Sequence, residues 1–262
     1  MISGLPMADK HRRRRPPEPE PQDDVEGIAW DDTVDVVSVG VGVTATAAAL
    51  AAVRLGLTVL RATPAAVDDE QTAEYLRQVT DDIVVDSIVP AEFEADVLPL
   101  RRVTGPVPHR EEFAKGAVSF DGAALRNWAA QCLPAGGGVL STAVADPDRT
   151  TVSVGVVDPR SESATVADWV AEQARRQDVP VVPVENLAHL VFDDGRVAGV
   201  ALTTDTGVEL VRARHTVVLA LRDDAVLSWP PTADAAEMAF VTRAASRFGR
   251  LELLVRDGAL PS

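Results

Sequence analysis

Aromatic side chains are scarce. They make up 4% of the 262 residues, with one tyrosine, Tyr75, so a core must be assembled mainly from Ala, Val and Leu. Cysteine occurs once, at Cys132, which excludes an intrachain disulfide and fits a reducing, cytoplasmic setting. Lysine is confined to Lys10 and Lys115, and arginine supplies the rest of the 25 basic residues. That skew reflects base composition rather than mechanism. Positive charge is in deficit: the formal net charge is -15, and an acidic body repels phosphate backbones, which excludes nucleic acid as the main partner. No apolar run is long enough to cross a bilayer, so no membrane span is expected. Arg12 to Arg15 run into Pro16, Pro17 and acids rather than an apolar segment, which is not the pattern of a secretory or twin-arginine signal.

What is present is an apolar fraction of 46%, enough for one sizeable domain. Residues 1–29 read as a disordered arm, because the alternation Pro17-Glu18-Pro19-Glu20-Pro21 favours extended backbone and buries nothing. A solvated tail is the simpler reading of this arm, an electrostatic clasp for a partner the other. Residues 30–262 are expected to form a single domain. Val34 to Val39 has the β-branched pattern of a buried strand, Thr44 to Leu55 reads as an Ala-rich helix stopped at Gly56, and Leu57 to Arg61 reads as a second strand. Strand, glycine turn, helix and strand in some thirty residues define a βαβ unit and an α/β class with parallel strands.

Further along, residues 68–82 read as helix, Ile83 to Pro108 as irregular, and Ala123 to Leu133 as a helix capped by Asp121. Gly136-Gly137-Gly138 reads as a flexible loop, Val152 to Val157 as strand, and Thr165 to Gln177 as helix. Leu187 to Phe192, a turn at Asp193-Asp194-Gly195, and Arg196 to Thr203 have the pattern of a hairpin. Separate strands are expected at Val208 to Val211 and Thr216 to Leu221, and a closing helix over Ala233 to Arg247.

Gly40-Val41-Gly42-Val43-Thr44-Ala45 fits G-x-G-x-x-G/A after a strand and at the opening of a helix. Gly40 would permit the tight turn, Gly42 the approach of backbone to a pyrophosphate, and Ala45 close helix–strand packing. Amides at the helix start, with the helix dipole, would face the phosphate oxygens. The same small residues could instead serve packing alone. A second strand of this kind ordinarily ends in Asp or Glu, which accepts from a ribose hydroxyl; here that place is held by Thr63, which supplies no charge.

Asp35 to Thr63 resembles the first βαβ unit of FAD-dependent fumarate reductase and 3-ketosteroid dehydrogenase-like flavoproteins. Leu187 to Leu219, with Asp193-Asp194-Gly195-Arg196-Val197-Ala198-Gly199-Val200, is similar to their hairpin and following strand, and Phe120 to Trp128 and Ala233 to Leu254 are similar to further blocks. The resemblance covers about half of the chain. It implies a Rossmann-like FAD/NAD(P)-binding fold, with a parallel sheet and an added β-hairpin or meander. It also implies cofactor contacts at Gly40, Val41, Gly42, Val43, Thr44, Thr63 and Leu187.

The departures from that family are specific. After the second strand the family carries a Gly- and Ser-rich segment around the cofactor, whereas here Pro64-Ala65-Ala66-Val67-Asp68-Asp69-Glu70 is short and acidic. Where the family has a threonine and two glycines after its late strand, this chain has Leu221-Arg222-Asp223. Most of the family's substrate-capping domain has no counterpart, and neither its proton-handling Arg nor its Tyr has a matching motif. The expectation is therefore a non-catalytic FAD-binding-like protein, with FAD binding weakened or lost, acting as partner subunit to a full-length flavoprotein homologue. The alternative is an FAD-dependent oxidoreductase, or a subunit of one, acting on a steroid-like or dicarboxylate-like substrate.

Other chemistries find little footing. His11, His109, His189 and His215 are scattered without metal-ligand spacing, no serine sits in G-x-S-x-G, and the triple glycine lacks the Lys-Ser/Thr of a phosphate loop. The acid pairs Asp81-Asp82, Glu111-Glu112 and Asp223-Asp224 read as solvated turn or helix-end residues. Cys132 and the tryptophans read as packed core.

Overall fold

The structure is a computed structural model that describes residues 27–84, 98–103, 122–132, 138–141, 151–157, 165–220, 227–230, 236–242 and 246–256. The arm at 1–26, Asp121, Glu111-Glu112, Gly136-Gly137, Asp223-Asp224, His11 and His109 lie outside the described residues. Within them the chain is mixed α/β.

The expected βαβ unit is present: β1 (Asp32–Val39), α1 (Val43–Arg54) and β2 (Val59–Ala62), with β1 and β2 parallel. Gly56 ends α1 as read from sequence. It takes φ 76°, its N–H donates to the Val53 carbonyl at 2.9 Å, and the Leu57 N–H donates to Ala52 at 3.1 Å, the two bonds of a Schellman stop. α2 (Glu70–Val84) is followed by β3 (Leu100–Val103), α3 (Gly122–Cys132), β4 (Gly138–Ser141) and β5 (Thr151–Val157). α4 (Val166–Arg176) is opened by Thr165, whose hydroxyl accepts from the Asp168 N–H at 3.1 Å. β6 (Val181–Val182), β7 (Asn186–Asp193), β8 (Arg196–Thr204), β9 (Gly207–Leu219), β10 (Ala236–Thr242) and β11 (Phe248–Arg256) complete the described elements.

The strands join in one sheet of order β5-β10-β11-β4-β9-β1-β2-β6, with β3 added on β11 and the hairpin β7–β8 added through β8 on β9. The parallel character expected of the sheet holds only for β9-β1-β2-β6 and for β3 on β11; every other pairing is antiparallel. The hairpin turn has φ 45° at Asp194 and 71° at Gly195, as a two-residue primed turn requires.

Four sequence expectations need correction. The helix expected over Ala233 to Arg247 is overturned at Ala236–Thr242, which is β10, paired with β5 on one edge and β11 on the other. Its Ala-rich composition favours helix, but hydrogen bonds from two neighbours outweigh a propensity worth tenths of a kcal/mol per residue. The strands at 208–211 and 216–221 are one strand, β9, which passes the polar stretch Arg212-Ala213-Arg214-His215 through a register shift against β1 between Val34 and Val36. Gly138 belongs to β4, opposite Arg250, rather than to a loop. The stretch read as irregular from Ile83 contains β3.

α1 lies at the centre. Val43 to Ala52 are all buried, which an almost pure Ala surface allows because it lets neighbours close in from every side. Ala48, Ala49 and Ala52 pack on Val36, Val59 and Val218 of the parallel strands. Val43, Ala47, Leu50 and Ala51 pack against Val154, Trp169, Val170 and Met238 of β5, α4 and β10. A further cluster joins β1, β2 and β7–β9 with α3, around Val37, Leu60, Leu202 and Trp128. Trp128 and Cys132 are buried in it, and the Trp128 indole donates to the Phe248 carbonyl at 2.8 Å. Trp169 meets Trp229 edge to face at 6.4 Å.

Candidate functional site

The glycine turn sits where β1, β2 and β9 end together. The Gly40 N–H donates to the Ala62 carbonyl at 3.0 Å, and the Ala220 N–H donates to Val39 at 2.9 Å, so the turn is held from both neighbouring strands. Gly40 has φ 143°, and a side chain there would place Cβ 2.6 Å from Ala220 Cβ. Ala220 therefore accounts for a glycine at this position without any ligand. Gly42, at φ 104°, is the N-cap of α1. Its carbonyl accepts from the Thr46 N–H at 3.2 Å and the Thr46 hydroxyl at 2.7 Å. As a glycine, Gly42 supplies no side-chain cap of its own, and no acid stands in the first turn of α1.

Behind the turn, the buried Ser38 hydroxyl donates to the Ala45 carbonyl at 2.9 Å, locking strand to helix where Ala45 was expected to permit close packing. Ser38 was not singled out from sequence; a serine inside the apolar run Val36 to Val39 is the signal that marks it. The Thr44 hydroxyl is buried with no hydrogen-bond partner among the described residues, an arrangement that ordinarily costs about 1–3 kcal/mol. Val43 is buried and Val41 stands exposed at the tip.

Thr63 follows Ala62, which is level with Val39 in the parallel pairing, so Gly40, Val41, Gly42, Val43, Thr44 and Thr63 gather at one end of the sheet. Leu187 occupies a different environment. It is 1% exposed, its N–H donates to the Ala66 carbonyl at 2.9 Å, and its carbonyl accepts from Asp68 at 3.0 Å. Its backbone is thus committed to the segment that follows Thr63. The acidic run has a structural task as well: Asp69 accepts from the Thr72 N–H at 2.6 Å at the start of α2, while the Thr72 hydroxyl accepts from Leu190 at 3.0 Å. The hydrogen bonds from Thr72 hold the Asp69 carboxyl below its ordinary range.

The turn residues and Thr63 carry no ionisable side chain, so they could meet an anion only through amides, the Thr hydroxyls and the helix dipole, and none of them can itself move a proton. Among the described residues no group of three or more His, Cys, Asp or Glu could hold a metal, and no helix is long and apolar enough to cross a membrane. Tyr75 lies on α2, edge-on to Phe192 at 5.3 Å, and its oxygen is 3.2 Å from Arg247.

The fold and site thus define a mixed α/β chain with a glycine-led helix start at the end of a parallel sheet segment. No protein-family model matches the chain, and no curated protein matches it by sequence. Several solved structures are similar in part, among them the two that follow. The 3-ketosteroid-Δ4-(5α)-dehydrogenase from Rhodococcus jostii RHA1, in complex with 4-androstene-3,17-dione, is 18% identical with a TM-score of 0.32, over 73% of this chain and 46% of that one. A geranylgeranyl bacteriochlorophyll reductase-like protein from Thermoplasma acidophilum is 14% identical with a TM-score of 0.30, over 85% of this chain and 57% of that one. The chain spans about half the length of each.

Proposed function

We propose that this chain is an FAD-binding-like protein of Rossmann type that carries no catalysis of its own and works as the partner subunit of a full-length flavoprotein homologue in the cytoplasm. The reading rests on one observation: α1 opens at a glycine, Gly42, with no acid in its first turn, beside Thr63 where a ribose-binding carboxylate would stand. The residues present fit the anionic half of a dinucleotide. Gly40 to Thr44 would lie against the diphosphate at the turn and helix start. They fit the ribose less well, because Thr63 offers a neutral hydrogen bond. Hydride chemistry, where FAD is bound, belongs to the flavin. The chain's own part is to hold phosphate oxygens at the helix end and to present a surface to its partner.

The test is a visible absorption spectrum and an FAD titration of the protein purified with its native partners and again alone. The chain alone is expected to bind FAD weakly and to support no substrate-dependent flavin reduction, while the complex carries flavin. Stoichiometric flavin with turnover of a steroid or dicarboxylate by the isolated chain would establish the oxidoreductase reading instead. A complex that never takes up FAD would overturn both.

A further inference from the structure

On one edge of β11 two short strands start back to back. β3 runs parallel to it from Leu253↔Leu100, and β4 runs antiparallel from Arg250↔Gly138. Leu251 and Glu252 lie between these two pairings. Glu252 is 3% exposed there, and its Oε1 accepts from Arg250 Nε at 3.1 Å and Arg250 Nη2 at 2.9 Å. Arg250 is fixed in turn, 4.8 Å over the Trp128 ring and with Nη1 donating to Gln131 Oε1 at 3.4 Å. The other oxygen, Oε2, is 2.9 Å from Arg101 Nε, yet both atoms lack a directed hydrogen bond and both are sealed from solvent.

We propose that Arg101 is a binding residue for a small-molecule oxyanion, carboxylate or phosphate, at this junction of β3, β4 and β11. A guanidinium offers five N–H donors in a fixed fork. The Arg101 side chain is 32% exposed and makes no hydrogen bond among the described residues. With Nε committed to Glu252, the terminal Nη pair is the donor set that remains, and that pair matches two oxygens of one planar anion. Glu252 shares its single charge with Arg250, so it does not saturate Arg101. A chain of net charge -15 gathers no anions through its general field, so an anion held here is held locally. This site shares no residue with the glycine turn and does not depend on FAD.

The experiment follows the Arg Nε–H cross-peaks of the full chain by NMR during titration with acetate, inorganic phosphate or chloride at constant ionic strength. Arg101 is assigned by its loss in Arg101→Gln. A saturable shift of the Arg101 peak with acetate or phosphate, absent with chloride, is expected, and the stronger of the two arms identifies the ligand class. Arg101→Lys, which keeps the charge but not the fork, is expected to weaken the anion-dependent rise in thermal midpoint about tenfold in concentration. Arg101→Gln is expected to abolish that rise while leaving FAD titration unchanged. An anion response that survives in Arg101→Gln, or shifts that track ionic strength alone, would overturn the assignment.

Discussion

Gly40→Ala separates a glycine kept for packing from one kept for a ligand. The new Cβ would lie 2.6 Å from Ala220 Cβ, 3.2 Å from the Ala220 carbonyl oxygen and 3.3 Å from its Cα, at a φ of 143°. An L-residue at that φ costs about 1–3 kcal/mol. Forcing a methyl into a closed contact costs a further 1–3 kcal/mol or so. The loss is therefore about 2–6 kcal/mol, against a domain total of about 5–15 kcal/mol. Ala220→Gly removes the nearest atom but neither the carbonyl nor the strained φ. By itself it costs about 0.5–1 kcal/mol. In the double variant the clash with the Ala220 methyl is gone, so the pair should be non-additive by about 1–3 kcal/mol in the favourable direction. Urea unfolding of the four proteins, without nucleotide, measures all terms. A Gly40→Ala protein within about 0.5 kcal/mol of the parent, or strictly additive losses, would refute the packing account. A stable Gly40→Ala protein that had lost only FAD binding would assign the glycine to the ligand.

Three further outcomes are expected. Thr63→Glu places a carboxylate at the end of β2, and FAD affinity by isothermal titration should rise about ten- to hundredfold, as a charge-assisted hydrogen bond to ribose is restored; an unchanged affinity would mean that Thr63 does not face the ligand. Asp35 accepts from the Thr58 N–H at 2.8 Å and the Thr58 hydroxyl at 2.7 Å, and these bonds hold its pKa below the ordinary value. Its contribution is therefore present above the unfolded carboxylate value near about 3.9 and is lost as pH falls through the lower folded value. Thermal midpoints from neutral to strongly acidic pH should fall less steeply in Asp35→Asn than in the parent. Glu252→Ala withdraws the carboxylate that accepts two N–H groups of Arg250, itself 6% exposed, and should cost about 3–5 kcal/mol in urea unfolding.

The parts of the fold legible in sequence are those whose cause is local. Gly56 announces the end of α1 because only its own φ and two nearby carbonyls are involved. Thr165 announces α4 through a bond to Asp168, three residues on, and Asp194-Gly195 announces the hairpin turn. What was illegible depends on distant neighbours. Ala236 to Met238 has the composition of a helix, and only β5 and β11, far off in sequence, make it a strand. Arg250 and Glu252 alternate with Gly249, Leu251 and Leu253, the pattern of a strand with one wet face, yet α3 brings Trp128 and Gln131 over that face and buries both charges. At the candidate site, the pattern Gly40 to Ala45 marked the turn, but its neighbour Ala220 lies 180 residues away and leaves no trace in the motif.

That distant contact changes how the motif should be weighed. α1 is buried from Val43 to Ala52 against the parallel strands on one side and residues of β5, β10 and α4 on another, so its start must be reached by a tight turn from β1 whether or not anything binds there. Gly40 is demanded by Ala220 and by its φ, and the Ala surface of α1 by the closeness of two layers. These positions would persist in a chain that had lost its nucleotide. A carboxylate just past the end of β2 has no such second duty: it would serve a ribose. The threonine at 63 therefore says more about ligand binding than the glycines at 40 and 42 do, and the glycines say more about architecture than about FAD.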